Sequence, residues 1–284
     1  MKGDTHMKLT FTTFQIGQGL SLDELIDVAR VSGCTGIEFR LTDSYRRGAE
    51  HANTGEKLGD YQHVYTHGVE ISASAEQRRA IRRKMEDHYL EFTDIATGSM
   101  FHFTDPDERR RHIEGAREAC RLAADLGCPR IRVFGNVIPE GVDAAECIGW
   151  VAESLAEVAD TAAPLGVEVL LEMHGQFNYP GYALAVLKKA DRPNIGLLYN
   201  CDPRDAVCGS VRETYSRVSP YIRHVHLHDL ENGYPYLELF RLLLRDGYKG
   251  YVSAEIGASS EPQKYMKLYG ACFRALRAAA ELSL

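Results

Sequence analysis

The sequence predicts an α/β fold of one kind, a closed (β/α)8 barrel forming a single domain, and three observations carry that expectation. Short apolar runs that read as strands alternate with helical stretches from one end of the chain to the other, an order that builds a parallel sheet. Eight such units occupy 284 residues, which suits a closed barrel better than an open sheet. No strand runs into the G-x-G-x-x-G turn of the open doubly wound fold, and no Ser/Pro linker or shift of composition divides the chain.

Taken in order, residues 1–6 (MKGDTH) precede a second methionine and are expected to be a cloning remnant, which leaves 7–284 as the barrel domain. Strand one covers 8–16 (KLTFTTFQI), and the helix SLDELIDVARVSG opens at a Ser21 cap and closes at Gly33. Strand two is 36–40 (GIEFR). The stretch 41–74 that follows is rich in Gly, His, Asn and Tyr and has no clear period. Loops after barrel strands are usually short and lie on the active face, so this one reads as a lid or specificity loop, with a decorated loop of no role as the alternative. Then come the helix SAEQRRAIRRKMEDH, strand three at 90–97, the helix DPDERRRHIEGAREACRLAADLG and strand four at 130–135. The helix DAAECIGWVAESLAEVADTAAPLG leads to strand five at 167–173. Strands six (194–199) and seven (222–228) each follow a further helix, and strand eight (250–256) precedes the last one, QKYMKLYGACFRALRAAAEL.

Composition narrows the function. A net charge of −7 and a pI near 5.9 argue against a partner bound through phosphates, so no nucleic acid is expected. No apolar run reaches the ~18 residues of a membrane span, and no signal-peptide pattern opens the chain. The seven cysteines are scattered and never spaced C-x-x-C, as in a reduced, cytoplasmic protein without a thiolate zinc site. A small molecule is the expected partner, and a homo-oligomer remains open.

The chemistry-bearing residues collect at strand ends. In HVHLHD (224–229) period-two alternation puts His224, His226 and His228 on one face and Val225 and Leu227 on the other. Three imidazoles on a buried face are costly unless their nitrogens have partners. Strand two ends with Glu38 and Arg40, strand five with Glu172 and His174, strand six runs into Asn200 and Asp202, and strand eight supplies Glu255. Catalytic groups of such barrels sit at these C-terminal ends. Carboxylates facing a barrel mouth must be paired, hydrogen-bonded or bound to a cation. Two glutamates, a histidine and an amide or carboxylate from four consecutive strands could surround one divalent ion. Without sulfur the set suits Mn2+, Mg2+, Co2+ or Zn2+.

Over nearly its whole length the chain resembles the xylose isomerase-like TIM barrels, a family of sugar phosphate isomerases and epimerases, ketose 3-epimerases and inosose-type enzymes. The resemblance rests on GIEFR, LAADLGCPRIRVFGN, LLEMHG, NIGLLYN, HVHLHD and AEIG in that order. It implies one divalent metal held by Glu172, a strand-six acidic residue, His226 and Glu255. It also implies Glu172 and Glu255 as the pair that removes and returns a proton. Two departures matter. Asn200 stands where the family usually has aspartate, with Asp202 two residues on, and His228 stands where lysine is common.

The expected activity is therefore a metal-dependent isomerase or epimerase of a sugar or sugar phosphate, working by α-proton abstraction through an enediolate. His174 and His228 read as substrate-binding groups, with His174 alternatively holding Glu172. Glu38 and Arg40 read as substrate-positioning groups or as an ion pair, and Arg40, Arg132 and Arg204 as unranked phosphate contacts. The rivals are an inosose-type dehydratase on the same metal site, a nuclease on the same fold, and a non-catalytic sugar-binding barrel. The acidic charge and the single-metal ligand count argue against the nuclease.

Overall fold

The first unit shows how local sequence sets the repeat. Strand β1 (Lys8–Phe11) leads to helix α1 (Leu22–Ser32), which starts at a capping box: the Ser21 and Glu24 side chains each accept from the other's backbone N–H. These bonds satisfy donors that the first helical turn leaves open. The helix stops at Gly33, whose φ of 78° lies in the left-handed region that glycine adopts freely. Strand β2 (Gly36–Arg40) then returns the chain to the sheet. The structure is a computed structural model that describes residues 7–42, 65–203 and 209–284. Residues 1–6, most of the long connection after β2, and Arg204 lie outside the described residues.

The repeat continues through α2 (Ala75–Asp87), β3 (Glu91–Met100), α3 (Pro106–Leu126), β4 (Arg130–Phe134) and α4 (Ala144–Ala162). It goes on through β5 (Glu168–Glu172), α5 (Pro180–Ala190), β6 (Ile195–Asn200), α6 (Val211–Val218), β7 (Ile222–Leu227), α7 (Tyr236–Arg245), β8 (Tyr251–Ala254) and α8 (Pro262–Glu281). All pairings are parallel and run β1-β8-β7-β6-β5-β4-β3-β2. A bridge between Thr12 and Glu38 joins the two ends of that order, so the sheet is a nearly closed (β/α)8 barrel. Two strands differ from expectation. β1 ends at Phe11 rather than at residue 16, because the chain turns at Gln15 with φ 58°. β3 runs on to Met100 with a break of register after Ala96.

Alternation along the strands sorts the side chains by chemistry. Ile131, Val133, Val169, Leu171, Leu197, Val225, Leu227 and Val252 join Leu25, Val28, Ile113, Leu122 and Leu155 of the helices in one apolar shell. The opposite face of the same sheet carries Glu38, Arg132, Glu172, Asn200, His224, His226 and Ser253, all buried. The lumen is thus polar and closed to water, and its groups must satisfy one another. Among the described residues no helix is long and apolar enough to cross a membrane.

Candidate functional site

Strand register brings the polar lumen to one point. Phe134 of β4 lies beside Glu172 of β5, and Asn200 of β6 beside His226 of β7. His226 in turn pairs with Ser253 of β8, and just past that strand the Glu255 N–H donates to the Leu227 carbonyl at 2.8 Å. Glu172, Asn200, His226 and Glu255 therefore sit at adjacent C-terminal strand ends, where side chains can converge.

Glu172, His226 and Glu255 each offer a ligand atom within 4.8 Å of the other two. His226 Nδ1 lies 3.2 Å from Glu255 Oε2 and 3.9 Å from Glu172 Oε1. Asn200 Nδ2 donates to Glu172 Oε1 at 3.0 Å, while Arg132 Nε stands 3.0 Å from Glu172 Oε2. The Asn200 Oδ1 is 2.8 Å from His228 Nε2, and His228 Nδ1 is 3.0 Å from the Glu255 carbonyl, so both ring nitrogens face acceptors. Asp202 belongs to neither group of potential ligands found among the described residues, and its N–H donates to the Asn200 carbonyl at 2.8 Å. Asn200 is the strand-six residue whose side chain meets Glu172 of the cluster.

Three groups are placed differently from the sequence reading. Glu38 is fully buried beneath the cluster, 2.8 Å from His224 Nε2 and 2.9 Å from His226 Nε2. Arg40 points elsewhere: its guanidinium donates to the Leu41 and Ala96 carbonyls at 3.3 and 3.2 Å, so Glu38 pairs with histidines rather than with Arg40. His174 does not hold Glu172. Its Nδ1 is 3.1 Å from Asn136 Oδ1 and its ring meets Phe134 edge-on. The turn that sets it requires glycine at 175: φ is 59°, and a Cβ there would stand 2.1 Å from the Asn136 carbonyl.

From the sequence Arg132 read only as a phosphate contact, not as a partner of Glu172, and Asn136 was missed as part of this site. Parity in RIRVF could have found Arg132, since Ile131 and Val133 face the apolar shell and Arg132 must then face the lumen. Arg132 is spent on Glu172 and on the Thr97 carbonyl at 2.7 Å, which removes it as a phosphate contact.

The charges are strongly coupled. Burial by itself would raise Glu255, but the charge and hydrogen bond of His226, together with the charges of His228 and Arg132, outweigh it and hold the carboxyl at about 2. Burial likewise opposes the ionised form of Glu38, and the His226 and His224 contacts bring it well below the usual range. His226 is raised well above an ordinary imidazole: burial works against this, and Glu38 and Glu255 on either side override it. Burial pushes His224 down to about 4. Asp94, fully buried with no hydrogen bond to either oxygen, is driven well up by burial and then by the negative charge of Glu38.

These residues fit a divalent cation. His226 Nδ1 is buried without an aligned hydrogen bond, and two carboxylates share the cavity with one imidazole, a donor set of nitrogen and oxygen that suits such ions.

The family model described as xylose isomerase-like TIM barrel matches residues 26–276. A human protein provisionally named hydroxypyruvate isomerase is 30% identical over 172 residues, which cover 53% of this chain and 61% of that one. A 2-oxo-tetronate isomerase of Cupriavidus necator is 31% identical over 153 residues, covering 48% of this chain and 58% of that one. The chain thus matches about three-fifths of the length of these curated relatives. Among solved structures, an L-ribulose 3-epimerase superimposes with a TM-score of 0.75 at 17% identity, covering 98% of this chain and 96% of that one. That last likeness is one of fold.

Proposed function

Because the chain belongs to the xylose isomerase-like TIM-barrel family, we propose that it is an isomerase or epimerase that moves a proton at a carbon beside a carbonyl in a sugar, a sugar phosphate or a short hydroxylated keto acid. The keto-acid class follows from the names of the relatives, hydroxypyruvate and 2-oxo-tetronate isomerase. The observation that carries the reading is the convergence of Glu172 and Glu255 on His226 at one barrel mouth.

Glu172, His226 and Glu255 would hold the divalent ion, with Asn200 as the fourth ligand from strand six. Bound there, the ion supplies a Lewis acid for the substrate carbonyl. Glu255 is the general base: it is ionised and only partly covered, at 17% side-chain exposure. Glu172, within 4.8 Å of Glu255, returns the proton or carries the second transfer. His228 and His174, half-buried at the rim, hydrogen-bond the substrate hydroxyls. Closure of the lumen below by buried side chains keeps water from the carbanionic carbon.

The test is turnover by chelator-treated protein given hydroxypyruvate, 2-oxo-tetronate, ketoses, ketose phosphates and inososes, each with Mn2+, Mg2+, Co2+ or Zn2+. Interconversion of one of these with one of the ions supports the reading. Dehydration of an inosose would replace it by a lyase, and no turnover at all by a binding protein.

A further inference from the structure

The lower half of the histidine row has no part in the proposed chemistry, yet it is built with the same care. Glu38 is fully buried, and its oxygens take His224 Nε2 at 2.8 Å and His226 Nε2 at 2.9 and 3.1 Å. The rings of His224 and His226 meet edge-on at 5.8 Å, as two imidazoles converging on one carboxylate do. A buried carboxylate accepts and never donates, so each of these nitrogens must carry its hydrogen. With Nε2 committed to Glu38, Nδ1 of His226 is the nitrogen that can give up its hydrogen to an incoming ion and offer a lone pair, and Nδ1 is the one facing Glu172 and Glu255.

We infer that Glu38 is a positioning residue that fixes the tautomer and angle of His226, so that Nδ1 is presented to the ion, and that His224 holds Glu38 in place from the other side. The inference rests on the reading of His226 as a metal ligand. Such carboxylate–histidine pairs orient the ligand ring and raise its basicity, and losing one commonly weakens metal binding by about 10–100-fold. The trio Glu38, His224 and His226 could also be imagined around an ion of its own. The N···O separations are those of ordinary hydrogen bonds, however, and His226 would have to bridge two cations through both nitrogens at once.

Calorimetric titration of the chelator-treated protein with Mn2+ decides the matter, beside the thermal unfolding of each metal-free variant. Wild type is expected to bind one ion per chain. In Glu38→Gln the amide can accept from only one of the two rings, and the Mn2+ dissociation constant is expected to rise about 10–100-fold. His224→Gln keeps a donor toward Glu38 and is expected to lose less. With Zn2+ in place of Mn2+, nitrogen-15 spectra of labelled histidine should show one tautomer for His226 in wild type, protonated at Nε2, and a mixture in Glu38→Gln. A purely structural role would lower the unfolding temperature and leave the tautomer alone. Equal affinity and an unchanged tautomer in folded Glu38→Gln overturn the inference and leave the proposed function standing. Two ions per chain overturn it as well, whereas a wild type that binds none overturns both.

Discussion

Arg132 Nε lies 3.0 Å from Glu172 Oε2, with the two side chains only 3% and 2% exposed. The same guanidinium donates to the Thr97 carbonyl and lies 4.1 Å over the Phe134 ring. Glu172 is therefore clamped, between Arg132 on one oxygen and Asn200 on the other. Among the described residues no arginine stands at that range from Glu255, whose ion-pair neighbours there are His226 and His228. The two glutamates share a cavity but not an environment, and this makes Glu255 the freer base.

Removing Arg132 tests the clamp. Arg132→Met leaves a buried carboxylate without its partner, a situation that typically costs about 3–5 kcal/mol. The loss should appear as a shifted urea midpoint at neutral pH. Arg132→Lys, which keeps a charge but not the planar fork, should fall between the two. A midpoint unchanged in Arg132→Met would mean that Glu172 has another partner.

Asn200 and Asp202 should separate cleanly by calorimetry. Asn200→Ala removes a donor to Glu172 and an acceptor for His228, and metal affinity should fall. Asp202→Ala should leave it unchanged. Asn200→Asp adds a negative charge beside Glu172, so the metal-free protein should be less stable and the ion bound more tightly. If Asp202→Ala alone weakens binding, the strand-six ligand is wrongly placed.

The barrel's repeat was legible because it is written locally. Ser21 with Glu24 starts a helix and Gly33 stops it, and both signals lie within the segment they control. The histidine row was legible for the same reason, since period two fixes its face. Depth was not. How far down the lumen Glu38 sits depends on strand tilt and stagger around the whole barrel, and so does its meeting with His224 and His226 across 186 and 188 residues. The choice between Asn200 and Asp202 depends on where β6 ends, and element ends are set by the turn beyond rather than by the strand's own pattern. Arg132 carried a parity signal, but its partner lay on another strand.

Acid lability should trace in part to His67. Its Nδ1 accepts from the Val69 N–H at 3.0 Å and its Nε2 lies 3.2 Å from the Arg40 carbonyl. Burial pushes it from 6.5 down to about 4, against the Arg40 bond. The fold thus holds the neutral ring, while the unfolded chain takes up a proton as pH falls below 6.5. More protons on the unfolded state means stability declining from that pH down toward 4, by about 3 kcal/mol at the acid end. Denaturant titrations across this range should show the slope in wild type and a flatter one in His67→Gln. Parallel slopes would assign the lability to other groups.

The central claim is proton transfer by the carboxylates that face His226, and isotope exchange reads it most directly. Wild-type protein with its ion and an active ketose or keto acid in deuterium oxide should exchange one carbon-bound hydrogen for deuterium, seen as loss of its proton signal. Glu255→Gln is the sharper variant, because Glu172→Gln would also strip Arg132 of its buried partner. Folded Glu255→Gln should exchange about 10²–10⁴-fold more slowly. Exchange at the wild-type rate in that variant, or turnover in wild type with no deuterium gained from solvent, would contradict the account.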